Sequence, residues 1–255
     1  MTFEDLCESK GLHRALLIDS ALDMAYGDAT RQGAFNTLAL EKGDKTAQKN
    51  INDVKEKAKE ELRQEIARIM EQAPESYDDW QSSMMEKLAK QFEQIKKKGT
   101  EEPAFTYGNA QKWVNMTMKY LWEKRLLSEW SEDQIRKLHI PIDSYILDAI
   151  CFSSDTDNPT FPARADSGKG TSSAENQSKK KKGYVRPSDH IKPWSQWGKD
   201  DYTKFRESLN KDQGFDLFWE QDAWLCASRY RSSQDKKENF IERLKTIRAP
   251  GINRK

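Results

Sequence analysis

The sequence lacks most of the features that mark metal-binding, secreted and membrane proteins. It has only 3 His and 3 Cys, the cysteines lie far apart, and no Cys-x-x-Cys pair occurs. We therefore expect neither a structural zinc site nor a disulfide framework, and no metal or other cofactor. No apolar stretch approaches the roughly 18–20 residues that cross a bilayer, and the N-terminus has no cationic segment followed by an apolar run. These absences predict a cytoplasmic protein with no membrane partner.

A strong net charge and a strand pattern are also missing. The formal net charge is +1, so any surface for nucleic acid must be a local patch. Runs of alternating β-branched residues do not occur, whereas 33% of the residues are charged and only 36% are hydrophobic. Helices with charged outer faces and narrow apolar stripes fit this composition. With 8 Trp and 10 Phe among 255 residues, the chain is predicted to be an all-α protein whose core and pockets are rich in aromatic rings.

Helical spacing of apolar residues dominates the chain. The N-terminal helical region, residues 1–100, contains one charged helix before Pro74 and one after it. This pattern predicts an antiparallel hairpin over residues 46–98. A coiled-coil arm that joins two copies is the alternative for this hairpin. Further helices are predicted over residues 14–42, 108–127, 131–137, 142–152, 199–210, 215–230 and 235–247.

Residues 153–186 interrupt the helical pattern. This stretch is rich in Ser, Gly, Asp and Lys and has few apolar residues, which predicts a long flexible loop. Its lysine run, residues 179–182, is interpreted as a solvated charge run. The loop separates the helices of residues 101–152 from an aromatic-rich C-terminal region, residues 187–255, that we expect to pack on the same core.

One stretch contains a candidate pair of reactive side chains. In YGNAQKWVNMTMKYLW, Gly108 precedes Lys112 in the first turns of a predicted helix, and the later phrase IPID ends in Asp143. On a helical wheel, Lys112, Asn115 and Lys119 lie opposite the apolar face. The field at a helix N-terminus disfavours an ammonium ion and so favours an uncharged, nucleophilic amine. The plain alternatives are surface lysines and an aspartate that only caps the next helix.

This arrangement resembles the helix-hairpin-helix DNA glycosylases, in which a glycine turn, a lysine at the start of a long helix and a Pro-(Val/Ile)-Asp phrase follow one another. The similarity is to the 8-oxoguanine-glycosylase-like branch of archaea and bacteria, and it covers roughly residues 103–152. It implies a two-lobed helical fold with a cleft, a monomer, and double-stranded DNA as the partner. Only Gly108 stands where that family has a pair of hairpin glycines.

The resemblance also implies the chemistry. Lys112 matches the amine that attacks the sugar C1′ of a nucleotide flipped out of the duplex, and Asp143 matches the carboxylate that assists the attack. The implied activity is release of a damaged or modified base, with β-elimination as a further lyase step. Candidate bases are 8-oxoguanine, in DNA repair, and a modified phage cytosine, in antiviral defence. Lys119 is the alternative amine.

Aromatic and basic residues supply candidates for DNA binding. The turn between Pro193 and Gly198 carries two tryptophans that we expect to be exposed, Trp194 and Trp197. Rings of this kind hold a flipped base by stacking, although core packing is the alternative for each tryptophan. The candidate base-binding residues are His190, Trp194, Trp197, Trp219 and Asn115. The candidate phosphate-binding groups are Gly108, Lys119, Arg186, Lys192 and Lys199.

Two other functions compete with the glycosylase hypothesis. A non-catalytic helical module would bind protein or nucleic acid through the 46–98 hairpin, and Lys112 and Asp143 would then be structural. A hydrolytic nuclease would need several carboxylates around a divalent ion, and the sequence has no compact cluster of that kind. The glycosylase and the binding module therefore remain as the two hypotheses from the sequence.

Overall fold

The computed structural model describes residues 3–31, 45–97, 100–153, 162, 191–209, 214–232, 242–244 and 246. The chain forms α1 (Phe3–Thr30), α2 (Lys45–Glu71), α3 (Tyr77–Gln91), α4 (Tyr107–Glu123), α5 (Glu132–Arg136), α6 (Ser144–Ser153), a short 3-10 helix (Trp194–Gln196), α7 (Lys199–Ser208) and α8 (Leu217–Ser232). These ranges contain no β-strand, so the predicted all-α fold is confirmed. The division into two lobes stays a prediction, as do the proposed domain boundaries.

The first helix differs from its predicted range of 14–42. It begins at Phe3 and ends at Thr30, and its early turns were missed because Gly11 and several charged residues hide the apolar spacing. Residues 32–44 lie outside the described part of the chain. The predicted loop over 153–186 and the predicted helix over 235–247 also fall largely outside it.

Helices α2 and α3 form the predicted antiparallel hairpin. The chain turns at Pro74 between the two helices. Near the turn, Trp80 Nε1 donates a hydrogen bond to Glu65 (3.4 Å), and farther from it Lys87 faces Glu61 across 3.6 Å. Moving away from the turn on one helix therefore means moving away from it on the other, which is the order of antiparallel partners.

The apolar stripe of α2 packs inside the chain rather than facing outward. Leu62 is 1% exposed, and Lys59 forms an ion pair with Asp23 of α1 (2.7 Å). Among the described side chains, the exposed large apolar ones are Leu16, Met24 and Leu225. These lie on α1 and α8. A coiled-coil arm would need the α2 stripe for a second copy, so the burial of this stripe argues against that alternative.

Helix α4 is buried on nearly all sides. It packs against α1, α3, α7 and the 3-10 helix, and Trp113 meets Tyr26 of α1 edge to face with ring centroids 4.8 Å apart. The helical wheel put Lys112, Asn115 and Lys119 opposite the apolar face, yet Asn115 is fully buried and the two lysines are only 5% and 8% exposed. The alternative of ordinary surface lysines is therefore wrong, because neighbouring helices enclose the polar side of α4 as well.

The 3-10 helix docks on the first turn of α4 at Gly108. The N–H of Gly108 donates to the carbonyl of Trp197 (2.9 Å), and Thr106 Oγ1 donates to the carbonyl of Ser195 (2.9 Å). A Cβ on residue 108 would lie 1.8 Å from the carbonyl oxygen of Trp194. Close approach of two backbones therefore requires glycine here.

We predict that Gly108→Ala destabilises the protein, whereas Gly27→Ala in α1 stabilises it. The new methyl group at residue 108 would force two backbone segments apart, at a cost of roughly 1–3 kcal/mol. A Cβ on Gly27 would meet nothing within 4 Å, so alanine there adds about 0.5–1 kcal/mol of helix stability. Urea denaturation measures both changes in the free energy of unfolding. Equal values for the two variants would contradict the docking of the 3-10 helix.

Candidate active site

A cavity of about 470 Å³ lies beside α4, where α1, α6 and α8 also contribute to its wall. Its volume falls within the range of about 300–1,000 Å³ that is typical of small-molecule sites. The residues of its wall that matter most below are Lys112, Lys119, Asp143, Trp194, Glu220 and Trp224. The cavity thus combines two indole rings with three cationic and four carboxyl side chains, the others being Arg31, Asp28 and Glu123.

Lys112 and Asp143 form a buried ion pair at this wall. Lys112 Nζ lies 2.8 Å from Asp143 Oδ2, and the two side chains are only 6% and 12% exposed. Lys112 comes from the second turn of α4, whereas Asp143 precedes the first residue of α6. The structure therefore brings together the two residues that the sequence singled out, although their catalytic roles stay predictions.

Asp143 uses its two carboxylate oxygens for different contacts. Oδ1 accepts hydrogen bonds from the backbone N–H groups of Tyr145 and Ile146, both at 2.9 Å, and so caps α6. Oδ2 accepts from Lys112 Nζ (2.8 Å) and from Trp224 Nε1 (3.3 Å). The helix cap and the ion pair are thus not alternatives, because one oxygen serves each.

The surroundings of Asp143 favour its ionised form. Burial alone would raise the pKa of this carboxyl, but the Lys112 ammonium and the two backbone N–H groups outweigh burial and hold the pKa below its ordinary value. An ionised carboxylate within hydrogen-bond distance of an amine can accept a proton from it. The pair therefore places an amine and an ionised carboxylate, which can accept a proton, side by side at the cavity wall.

Gln111 holds the chain segment that presents Asp143 to Lys112. Its side-chain amide donates to the carbonyl of Ile142 (2.9 Å) and accepts from the N–H of the same residue (3.2 Å). Asn115, one turn along α4, donates to the carbonyl of Ile140 (3.0 Å). Gln111 precedes Lys112 in the chain, and Ile142 precedes Asp143. The hydrogen bonds between Gln111 and Ile142 therefore lie next to both members of the ion pair. Gln111 was not among the residues predicted from the sequence.

A buried network continues from Asn115 to His139. Tyr202 OH lies within hydrogen-bond distance of both Asn115 Nδ2 (3.3 Å) and His139 Nδ1 (3.1 Å), and His139 Nε2 contacts Asp78. Burial lowers the pKa of His139 to about 4, against the opposing effect of Asp78. We assign a neutral ring from these partners, with Nε2–H donating to Asp78 and Nδ1 accepting from Tyr202.

A second ion pair, Lys119 with Glu220, lines the same cavity. The Nζ and Oε2 atoms lie 2.5 Å apart, and the side chains are 10% and 1% exposed. Burial raises the pKa of Glu220, and the opposing effect of Lys119 does not cancel that increase. Sequence reasoning named Lys119 as a phosphate contact and missed Glu220. The available signal was the spacing of Glu220 and Trp224, which puts both on one face of α8.

The structure brings only part of the predicted base-binding set to the cavity. Trp194 lies in its wall, but Trp194 and Trp197 are 3% and 0% exposed, so the expectation that both are exposed is wrong. Their burial follows from the docking of the 3-10 helix on α4, and Trp197 Nε1 donates to the carbonyl of Lys192 (2.8 Å). Trp219 and Asn115 pack within the core, away from the cavity wall. His190 lies outside the described residues.

The predicted phosphate contacts are also dispersed. The N–H of Gly108 is bonded to the carbonyl of Trp197, so it is not available to a phosphate oxygen. Lys192 and Lys199 line a different groove, where their partners are Asp201 and Glu86, each at 2.7 Å. Lys119 lies in the cavity instead, and Arg186 lies outside the described residues.

Metal-binding clusters and membrane-spanning helices were sought throughout the described ranges. Those ranges hold no group of three or more His, Cys, Asp or Glu residues that is arranged to bind a metal ion. None of the helices within them combines the length and the apolar character that a bilayer crossing requires.

Comparisons with known proteins leave the family open. No family model matches the chain, no curated protein matches its sequence, and no solved structure matches its fold. The resemblance to the helix-hairpin-helix glycosylases therefore stays a prediction, and the argument for function depends on the cavity and the residues around it.

We predict strong energetic coupling between Lys112 and Asp143. Lys112→Met leaves a buried carboxylate without its counter-charge and lowers the free energy of unfolding by about 3–5 kcal/mol. Asp143→Asn keeps an acceptor for the α6 cap, and the double variant loses less than the sum of the single losses. Urea denaturation of the four proteins gives the coupling energy.

The matched control for this cycle is the exposed pair of Lys199 and Glu86, whose atoms lie 2.7 Å apart, against 2.8 Å in the buried pair, but whose side chains are 52% and 58% exposed. Its coupling should be at most about 1 kcal/mol, because solvent screens the charges. Additive losses at Lys112 and Asp143, within about 0.5 kcal/mol, would show that the two residues are not paired.

We predict that His139 makes the protein less stable as the pH falls from about 6.5 to about 4. The unfolded chain binds a proton at His139 in this window and the folded chain does not, so protonation favours unfolding by an amount on the order of 2–3 kcal/mol. His139→Gln keeps an amide in the network but has no titrating group. Its free energy of unfolding, measured by urea denaturation across the same window, should fall less steeply than that of the wild type. Parallel pH profiles would contradict a neutral, buried His139.

Proposed function

We propose that this protein is a DNA glycosylase that removes a damaged or modified base from double-stranded DNA. Lys112 is the amine nucleophile and Asp143 the carboxylate that assists it. The observation that carries the proposal is the 2.8 Å contact between Lys112 Nζ and Asp143 Oδ2 at the wall of a cavity of about 470 Å³. An amine beside a carboxylate, in a pocket of this size, suits base displacement at a sugar C1′.

Asp143 prepares the amine in this mechanism. Its Oδ2 accepts the proton that Lys112 releases and passes it to water, and the neutral amine then attacks C1′ while the bond between C1′ and the base breaks. The same carboxylate stabilises the positive charge that develops on the sugar. Base loss leaves a Schiff base between Lys112 and the ring-opened deoxyribose, from which β-elimination nicks the strand.

Aromatic rings around the cavity support the binding of a flipped base. Flipping costs a few kcal/mol, and stacking on an aromatic side chain offsets this by about 1–3 kcal/mol per base. Trp224 and Tyr145 both line the cavity with ring centroids 5.4 Å apart, and Trp194 contributes a third ring to the wall. These three side chains take the base-binding role in the proposal.

The resemblance to 8-oxoguanine-type glycosylases supports two candidate bases. One is 8-oxoguanine, which belongs to DNA repair, and the other is a modified phage cytosine, which belongs to antiviral defence. A cavity in the size range of small-molecule sites suits either base. In this proposal the protein acts as a cytoplasmic monomer, and the helices on the two sides of the cavity are the two lobes that hold the duplex.

The alternative of a non-catalytic binding module has less support. It would use hairpin α2–α3, but the apolar stripe of α2 is buried against the rest of the chain. A binding module needs neither a buried amine nor a cavity beside it. Under that alternative Asp143→Asn would affect stability alone, whereas the glycosylase proposal requires loss of base release.

We predict that the wild-type protein forms a covalent adduct with an abasic-site duplex in the presence of sodium borohydride. Borohydride reduces the Schiff base between the amine and the sugar and so fixes the adduct, which is measured by denaturing gel electrophoresis. Lys112→Gln should give no adduct. Lys87→Gln, which removes an equal charge from the partly exposed surface of α3, should give the wild-type amount.

Two outcomes would contradict the assignment of Lys112. One is an undiminished adduct with Lys112→Gln, and the other is loss of the adduct only with Lys119→Gln, which would make Lys119 the amine. Base release from a panel of modified oligonucleotides, read by mass spectrometry, tests the glycosylase step separately. Asp143→Asn should release no base, although its folding is retained by the α6 cap.

A further inference from the structure

Two lysine–carboxyl pairs line one cavity, and they lie two turns apart along α4. Lys112 and Lys119 are seven residues apart, which separates their positions by about 10 Å along the helix axis. Each meets a carboxyl group from another element, Asp143 before α6 and Glu220 on α8. The proposed reaction uses only the first pair and leaves the second without a role.

The two carboxyl groups have different surroundings. Asp143 receives hydrogen bonds from two backbone N–H groups, an indole N–H and an ammonium group. Glu220 faces only the Lys119 ammonium, and its Oε1 has no hydrogen-bond partner in the described part of the chain. Two carboxyl groups whose surroundings push their proton affinities in opposite directions mark the base and the acid of a reaction.

Helix α8 links Glu220 to the place where a base would stack. Glu220 and Trp224 are four residues apart on α8 and both line the cavity. Trp224 Nε1 also donates to Asp143 Oδ2 (3.3 Å), so this indole lies next to the first pair. The geometry therefore points to a nucleotide whose base stacks on Trp224, one turn of α8 from Glu220, and whose sugar lies toward Lys112.

We propose that Glu220, held by Lys119, is the general acid that protonates the departing base, and that the substrates are therefore neutral bases. This inference rests on the proposed glycosylase function. A neutral base leaves with the electron pair of the glycosidic bond and needs a proton, whereas a cationic N-alkylated base leaves as a neutral molecule.

Protons and electrons balance in this step. The lone pair of the Lys112 amine forms the bond to C1′, and the electron pair of the C1′–N bond moves to the base. The base takes the Glu220 proton, and the resulting carboxylate is stabilised by the Lys119 ammonium. The new secondary ammonium at Lys112 gives its proton to Asp143.

The test compares substrates that need a proton with one that has no base to release. Duplexes with 8-oxoguanine or glucosylated 5-hydroxymethylcytosine report base release in a single turnover, and an abasic-site duplex with borohydride reports attack by Lys112 alone. Glu220→Gln should lower base release about 100-fold and leave the trapping rate within about 3-fold of the wild type. Release of 7-methylguanine, a cationic base, should be the same in the wild type and Glu220→Gln.

Two further variants separate an acid from a structural charge. Glu220→Asp keeps a carboxyl group and should restore part of the base release. Glu123→Gln removes an equal charge 3.9 Å from the same Lys119 ammonium and should leave base release within about 3-fold of the wild type. Wild-type trapping by Glu220→Gln also shows that the variant has folded with a working Lys112.

The outcomes distinguish this inference from the function on which it rests. Equal losses of base release and trapping in Glu220→Gln, or no loss of either, would overturn the role of Glu220 and leave the glycosylase proposal intact. Equal losses in Glu123→Gln and Glu220→Gln would do the same. Absence of both activities in the wild type would remove the glycosylase function and this inference together.

Discussion

The buried contact between Lys112 and Asp143 is the interaction on which the rest of the site depends. It joins α4 to the start of α6, and the indole of Trp224 attaches α8 to the same carboxylate oxygen. Two charges with little access to water are stable only if each has a partner and further hydrogen bonds. Asp143 meets that requirement by capping α6 with its other oxygen. A helix cap and a buried ion pair therefore use one side chain.

The same requirement explains the polar residues inside α4. A helix that is enclosed on both sides must satisfy its inward polar groups with protein partners. Gln111 and Asn115 do so by binding backbone groups of Ile142 and Ile140. Residues 139–143 are not helical, and Pro141 has no N–H to donate. The two side-chain amides supply the hydrogen bonds that the backbone of this segment would otherwise lack. The position of Asp143 thus follows from the hydrogen bonds that the side-chain amides of Gln111 and Asn115 make with the segment before it.

Glu220, in the wall of the same cavity, has far fewer hydrogen-bond donors than Asp143. Its side chain is 1% exposed against 12% for Asp143 and has an ammonium partner, yet it has no backbone N–H donor among the described contacts. Because hydrogen-bond donors lower a carboxyl pKa and burial raises it, the pKa of Asp143 falls and that of Glu220 rises. The difference between the two groups therefore comes from the number of hydrogen-bond donors as well as from the deeper burial of Glu220.

Only the resemblance to a known family pointed to the pairing of Lys112 with Asp143, whereas the sequence by itself determined the helical class and the hairpin. Those features follow from spacing and capping, which act within a few residues. The tertiary structure decided which side of α4 is buried, the burial of Trp194 and Trp197, and the arrival of Glu220 at the cavity. Contacts such as that of Thr106 with Ser195, 89 residues apart, decide these points. No local pattern specifies such contacts, because they exist only after the helices have packed.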